Sequence, residues 1–157
     1  MASPKWKIKG IVGKLSFGKT ALIILDDRIT NLIKSIKKFL KNDSAENLHN
    51  VRISIRRLRY NMELFYTLFE KKKFLRLYNM IENLQDKSGS VRDIYILRQN
   101  ILLFGREDDF IIPDRMDARI DEKESLLLVD LRKELYAFLL STELKDIMKL
   151  LKKKEVL

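Results

Sequence analysis

Residues 48–69 read LHNVRISIRRLRYNMELFYTLF, from Leu48 to Phe69. At about 100° per residue along a helix, Val51, Ile55, Leu58, Met62, Phe65 and Phe69 share one side. Their spacing is that of a buried face. His49, Arg52, Arg56, Arg59, Tyr60 and Glu63 project from the opposite side. This second row is unusual, because arginines at i, i+4 and i+7 repel one another by about a few tenths of a kcal/mol per pair. A face that only had to be solvated would mix lysine and glutamate. The row is suited to receiving a polyanion.

The chain around this stretch keeps a helical period. Leu22, Leu25, Ile29, Leu32, Ile33, Ile36 and Leu40 form one stripe, which predicts a helix from Ser16 to Lys41. Asn42-Asp43-Ser44 stops it. Asp43 or Ser44 caps the next helix, and Asp43 with Glu46 has capping-box spacing. That next helix, predicted over residues 45–70, carries the quoted stretch. After a corner at Lys71–Lys73, Phe74, Leu77, Tyr78, Ile81 and Leu84 form a third stripe. Lys87-Ser88-Gly89-Ser90 is read as a break, with Ser90 capping a fourth helix over residues 91–104. Residues 105–121 hold Gly105, Pro113 and a cluster of acids, and are read as an irregular connection or a mobile loop facing the cavity. A fifth helix is expected over residues 125–140. A sixth starts at Ser141 or Thr142, with Glu143, and ends in Lys152-Lys153-Lys154, whose charges suit its dipole. The expectation is an all-α antiparallel bundle of about six helices with a basic groove or cavity. It spans residues 16–157, behind a basic arm at residues 1–15, in which Lys5–Lys9 either forms a short strand or belongs to a disordered or loosely docked arm.

A family resemblance rests on two pieces. His49-x-x-Arg52-x-x-x-Arg56-Arg57-Leu58-Arg59, running into Tyr60-x-x-Glu63-x-Phe65, resembles the signature of the CHAD family (conserved histidine α-helical domain). Leu84-Gln85 and Gly89, leading into Val91-Arg92-Asp93-Ile94-Tyr95-Ile96-Leu97, is similar to that family's second motif. The resemblance is best over residues 40–104. It implies a helical bundle whose basic cavity binds inorganic polyphosphate, with His49, Arg52, Arg56, Arg59, Tyr60 and Arg92 at its core. Arg57, Lys14, Lys19, Lys34, Lys37 and Lys38 extend it, and Glu63 and Asp93 support it by orienting arginines. Family members carry two copies of a helical half, and only one is evident here. Val129-Asp130-Leu131-Arg132-Lys133 faintly echoes Leu48–Arg52, but Val129 stands where the histidine would be, and Tyr136 and Leu139 replace the later arginines. A homodimer is therefore expected, with a second subunit supplying the missing wall.

Chemistry supports such a ligand. Arginine offers phosphate five N–H groups on a planar, permanently charged fork. From His49 to Glu63 the row spans about 21 Å, enough for several phosphates in a chain. A polyanion would also draw His49 toward its charged form. The 157 residues carry a net charge of +10, which asks for an anionic partner without naming it. Nucleic acid is the alternative, gripped through the same arginines without base readout. Gly13-Lys14-Leu15-Ser16-Phe17-Gly18-Lys19-Thr20 matches the phosphate-loop pattern G-x-x-x-x-G-K-[ST] in full, a third reading. Against it, the lysine-rich segment before it is a poor central strand, and no alternation of strands and helices follows.

With one histidine and no cysteine, the chain offers no nucleophile–base pair and no thiolate metal site. Neither an enzyme nor a cofactor is expected. Asp108 and Asp109, or Asp117, Asp121 and Glu122, are read as solvated or cation-paired acids rather than a metal site. The longest apolar run near the N-terminus, Ala21–Leu25, is too short to cross a bilayer. No membrane insertion is expected, and the location expected is cytoplasmic, with association to polyphosphate granules.

Overall fold

The computed structural model describes residues 8–11, 13–107, 111 and 113–153. It contains five helices and, among the described residues, no strand. They are α1 (Phe17–Lys41), α2 (Ala45–Phe65), α3 (Lys71–Glu107), α4 (Asp114–Leu140) and α5 (Thr142–Lys153). A single 3₁₀ turn, Tyr66–Leu68, ends α2. Of the basic arm, residues 1–7 lie outside the described region, including most of the strand expected over Lys5–Lys9. Residues 8–11 are turn-like, with Gly10 at φ 90°, where a side chain would be strained.

The first two helices begin where their caps dictate. Ser16 Oγ accepts from the Lys19 amide, and Ser44 Oγ accepts from the Asn47 amide. The α2 cap is thus Ser44, and Asp43 is left free to serve other elements. Asn47 is buried and donates its side-chain amide to Asn42 O at 2.7 Å, closing the α1–α2 turn. The buried faces are the predicted stripes: Leu22, Leu25, Ile29, Leu32 and Ile36 on α1, and Val51, Ile55, Leu58, Met62 and Phe65 on α2. On α1, Ala21 and Phe39 are also buried, whereas Ile33 and Leu40 only flank the core.

Two expectations fail, and the first of them changes the helix count from six to five. The break at residues 87–90 does not exist. The buried stripe Phe74, Leu77, Ile81, Leu84, Val91 and Ile94 runs through it, because fully buried Ser88 takes the core position between Leu84 and Val91. Ser88 satisfies its hydroxyl by donating back to Gln85 O at 3.0 Å, and Ser90, instead of capping a helix, donates to Asp86 O. The 37-residue α3 is therefore one rod, about 55 Å long. The connection expected over residues 105–121 is also much shorter. Pro113 caps α4, and Asp114 and Asp117 lie in its first turn, where carboxylates complement the free amides.

The helices pack antiparallel in chain order. Ser35 Oγ and Ser54 Oγ meet at 3.0 Å between α1 and α2. Tyr78 donates to Glu63 between α2 and α3. Asn83 donates to Glu134, and Lys87 pairs with Asp130, between α3 and α4. α5 returns against α1, α3 and α4. Its start is capped by Ser141 Oγ, which accepts from the Leu144 amide. α3 is thus the shared spine, with α2 on one flank and α4 on another. Among the described residues no helix is long and apolar enough to cross a membrane.

Candidate polyanion site on α2 and α3

The polar row of α2 faces away from its buried stripe, as its period requires, and leans toward α3. Arg56, Arg57, Tyr60 and His49 are exposed, while Arg52 and Arg59 are half-buried against α3. Arg52 faces Gly89 of α3. A Cβ on Gly89 would lie 3.3 Å from Arg52 Nη1, so the absence of a side chain there makes room for the guanidinium. Gly89 does not stop the helix here, and a side chain in its place would press on the Arg52 guanidinium.

Arg52 is held in an unfavourable state. Its Nη1 is buried without a hydrogen-bond partner. Burial, then the charges of Arg92 and Arg56, push its pKa below the usual arginine value, and only Asp93 pulls the other way. Next to it lies a small cleft of about 190 Å³, lined by Ala45, Leu48, His49, Arg52, Arg92, Tyr95, Ile96 and Gln99. Of the polar residues among these, Tyr95 and Gln99 are not among the sequence candidates. They stand at i+3 and i+7 from Arg92, on the same face of α3, and that spacing was the available signal. Tyr95 donates to Asp43 O at 3.1 Å, and burial raises its pKa.

Farther along α2, Arg59 Nε lies 3.1 Å from Glu63 Oε1 in a pair that is close but not aligned as a hydrogen bond. Its guanidinium stands 5.7 Å from the centre of the Tyr60 ring. Glu63 in turn accepts from Tyr78 at 2.7 Å, which raises the Tyr78 pKa. Glu63 thus ties Arg59 to α3. Asp93 is exposed and only 3.8 Å from Arg92 at its nearest, a loose pair.

The structure gathers His49, Arg52 and Arg92 around one cleft, with Arg56 and Arg59 following along α2. It does not bring Lys19 or Lys38 to them. Phe17 packs edge-on against Phe65 with ring centres 5.5 Å apart, so Lys19 lies at the far end of α2, about 24 Å along its axis from His49. α1 meets α2 at Ser54, nearly opposite Arg52 around the helix, so Lys34, Lys37 and Lys38 flank the other side. In the Gly13–Thr20 segment, Ser16 caps α1 and already engages the Lys19 amide, one of the donors a phosphate loop would offer.

Among the described residues no cluster of histidine or carboxylates is arranged to hold a metal ion. Asp117, Asp121 and Glu124 converge instead on Arg98, which donates from Nε to Glu124 at 2.8 Å and from Nη2 to Asp121. Asp108 and Asp109 lie outside the described residues.

Comparison with protein families settles the resemblance. The CHAD domain model matches residues 4–102, well over half of the chain. The chain belongs to the CHAD family. The match takes in both motif pieces and ends within α3, so α4 and α5 lie beyond it. No curated protein and no solved structure matches the chain.

Proposed function

We propose that this CHAD protein binds inorganic polyphosphate along the exposed face of α2 and the adjoining turn of α3, without catalysing a reaction. The observation that carries the reading is Arg52: a half-buried guanidinium with an unpartnered Nη1, crowded by Arg92 and Arg56. Uncompensated charge of this kind costs stability in the empty protein. A chain of phosphates offsets that cost by supplying negative charge to all three arginines. The cleft between His49, Arg92 and Tyr95 accepts one end of the run, and Arg56 and Arg59 lie along its continuation. Glu63 and Asp93 orient arginines and do not touch the ligand. The family's association with polyphosphate supports the same ligand. The place of action that follows is the cytoplasm, at polyphosphate granules.

The test is a titration with long-chain polyphosphate at physiological salt, with single-stranded RNA, duplex DNA and ATP as competitors. Tight binding that excess nucleic acid and ATP fail to displace is expected. Equal displacement by every polyanion would reduce the row to a general electrostatic surface and favour nucleic acid. ATP preference, lost on Lys19→Ala, would return the reading to the Gly13–Thr20 loop.

A further inference from the structure

The outward face of α4 is apolar where a solvated helix would be charged. Leu126, Val129, Tyr136 and Leu140 are 61%, 67%, 50% and 69% exposed. They lie directly opposite the residues that α4 buries, Leu131, Leu135 and Phe138. Their spacing, +3, +7, with Lys133 filling the intervening +4 position, is that of a two-helix seam. Extended toward the N-terminus, the same seam passes through exposed Glu122 and Arg119. Among the described residues none of Arg119, Glu122 and Lys133 takes part in an ion pair, whereas their neighbours Asp117, Asp121 and Glu124 are all engaged with Arg98.

We infer that this face pairs with the same face of a second copy, α4 against α4 in antiparallel orientation about a two-fold axis between residues 127 and 128. The seam residues select that register. It sets Leu126 against Val129 of the second copy, Glu122 against Lys133, and Arg119 over the ring of Tyr136. Each contact is made twice by symmetry. Parallel pairing would oppose Lys133 to Lys133, and antiparallel pairing centred on Lys133 would do the same. The charges therefore choose the one arrangement in which they complement. From residue 119 to residue 136 the seam is about 26 Å long. A single-helix contact of that length is at the small end of specific interfaces, so the dimer forms with a Kd of about tens to hundreds of micromolar.

Sedimentation equilibrium of the full chain, from about 10 μM to 1 mM, tests this. Val129→Gln is expected to weaken the dimer about tenfold, because it removes two apolar contacts at the centre of the seam. The register is tested by charge exchange. Glu122→Lys and Lys133→Glu each weaken dimerisation about tenfold, and the double variant restores it to within about threefold. All of these positions are exposed, so the fold is not at stake. A chain that stays monomeric throughout would overturn the inference. So would a dimer indifferent to Val129→Gln, or a double variant that fails to recover. None of these outcomes bears on polyphosphate binding, which rests on α2.

Discussion

α2 and α4 are both amphipathic helices that bury one stripe and present another to solvent, and they differ in what the outward stripe is made of. On α2 it is His49, Arg52, Arg56, Arg59 and Tyr60. On α4 the positions that echo these carry Val129, Arg132, Tyr136, Leu139 and Leu140, and the one arginine among them, Arg132, is tied to Leu40 O and Asp43. The inward faces follow the same rule, and both could sit in any helical bundle. Partner chemistry is written on the outward faces. One repels itself, which suits the proposed anion, while the other is apolar, which suits the inferred second helix.

The largest effect that would break this contrast is removal of the basic row. Replacing Arg52, Arg56 and Arg59 together by alanine is expected to lower polyphosphate affinity at least about a hundredfold and to reduce the slope of log K against log salt by about two to three units. Val129→Gln should leave affinity within about twofold. Titrations at several salt concentrations measure both. If the α4 variant lost affinity as the α2 variant does, the two faces would form one site.

A medium effect separates binding from stability within α2. Arg52→Met should lose about tenfold in affinity yet keep or gain up to about 1 kcal/mol in urea unfolding, because it removes a charge that is buried without a partner. Gly89→Ala approaches the same guanidinium from α3. Alanine in a helix interior gains about 0.5–1 kcal/mol over glycine. Its Cβ at 3.3 Å from Arg52 Nη1 displaces the guanidinium, so affinity should fall a few-fold as stability rises.

The smallest effect is one of pH. The hydrogen bond to Glu63, and then burial, raise the Tyr78 pKa in the folded state. The stabilisation this represents is present below the unfolded tyrosine value of about 10 and is lost as pH rises through the folded value. Wild type should therefore lose more stability above about pH 10 than Tyr78→Phe does, as thermal unfolding across that range would record.

Much of this was legible in the sequence. The stripes of α1 and α2 and the stop at Asn42–Ser44 gave the first hairpin, and the period of α2 alone separated its basic row from its buried one. What failed was the reading of single residues as punctuation. Gly89 with its serine neighbours looks like a helix end, yet the apolar stripe continues at the right interval if Ser88 is allowed into it. The glycine lies against Arg52 of another helix, a long-range contact that no local pattern carries. Pro113 and Asp114 are ordinary start signals for a helix, and the acids after them masked this. Those acids are held by Arg98, and the antiparallel register that joins them is set by packing. The same limit applies to Lys19 and Lys38: charge and proximity in the chain suggested the site, but helix direction and flank put them elsewhere.

The continuity of α3 has a consequence for how the protein breathes. Had the helix broken at Lys87–Ser90, the amides on either side would be end residues, exchanging with solvent through fraying. In an unbroken rod buried against α2 and α4 they are mid-helix amides, released only when the packed core opens as a whole. Hydrogen exchange around Gly89 therefore reports the global opening of the molecule, and the slowest amides should lie beside the guanidinium of Arg52.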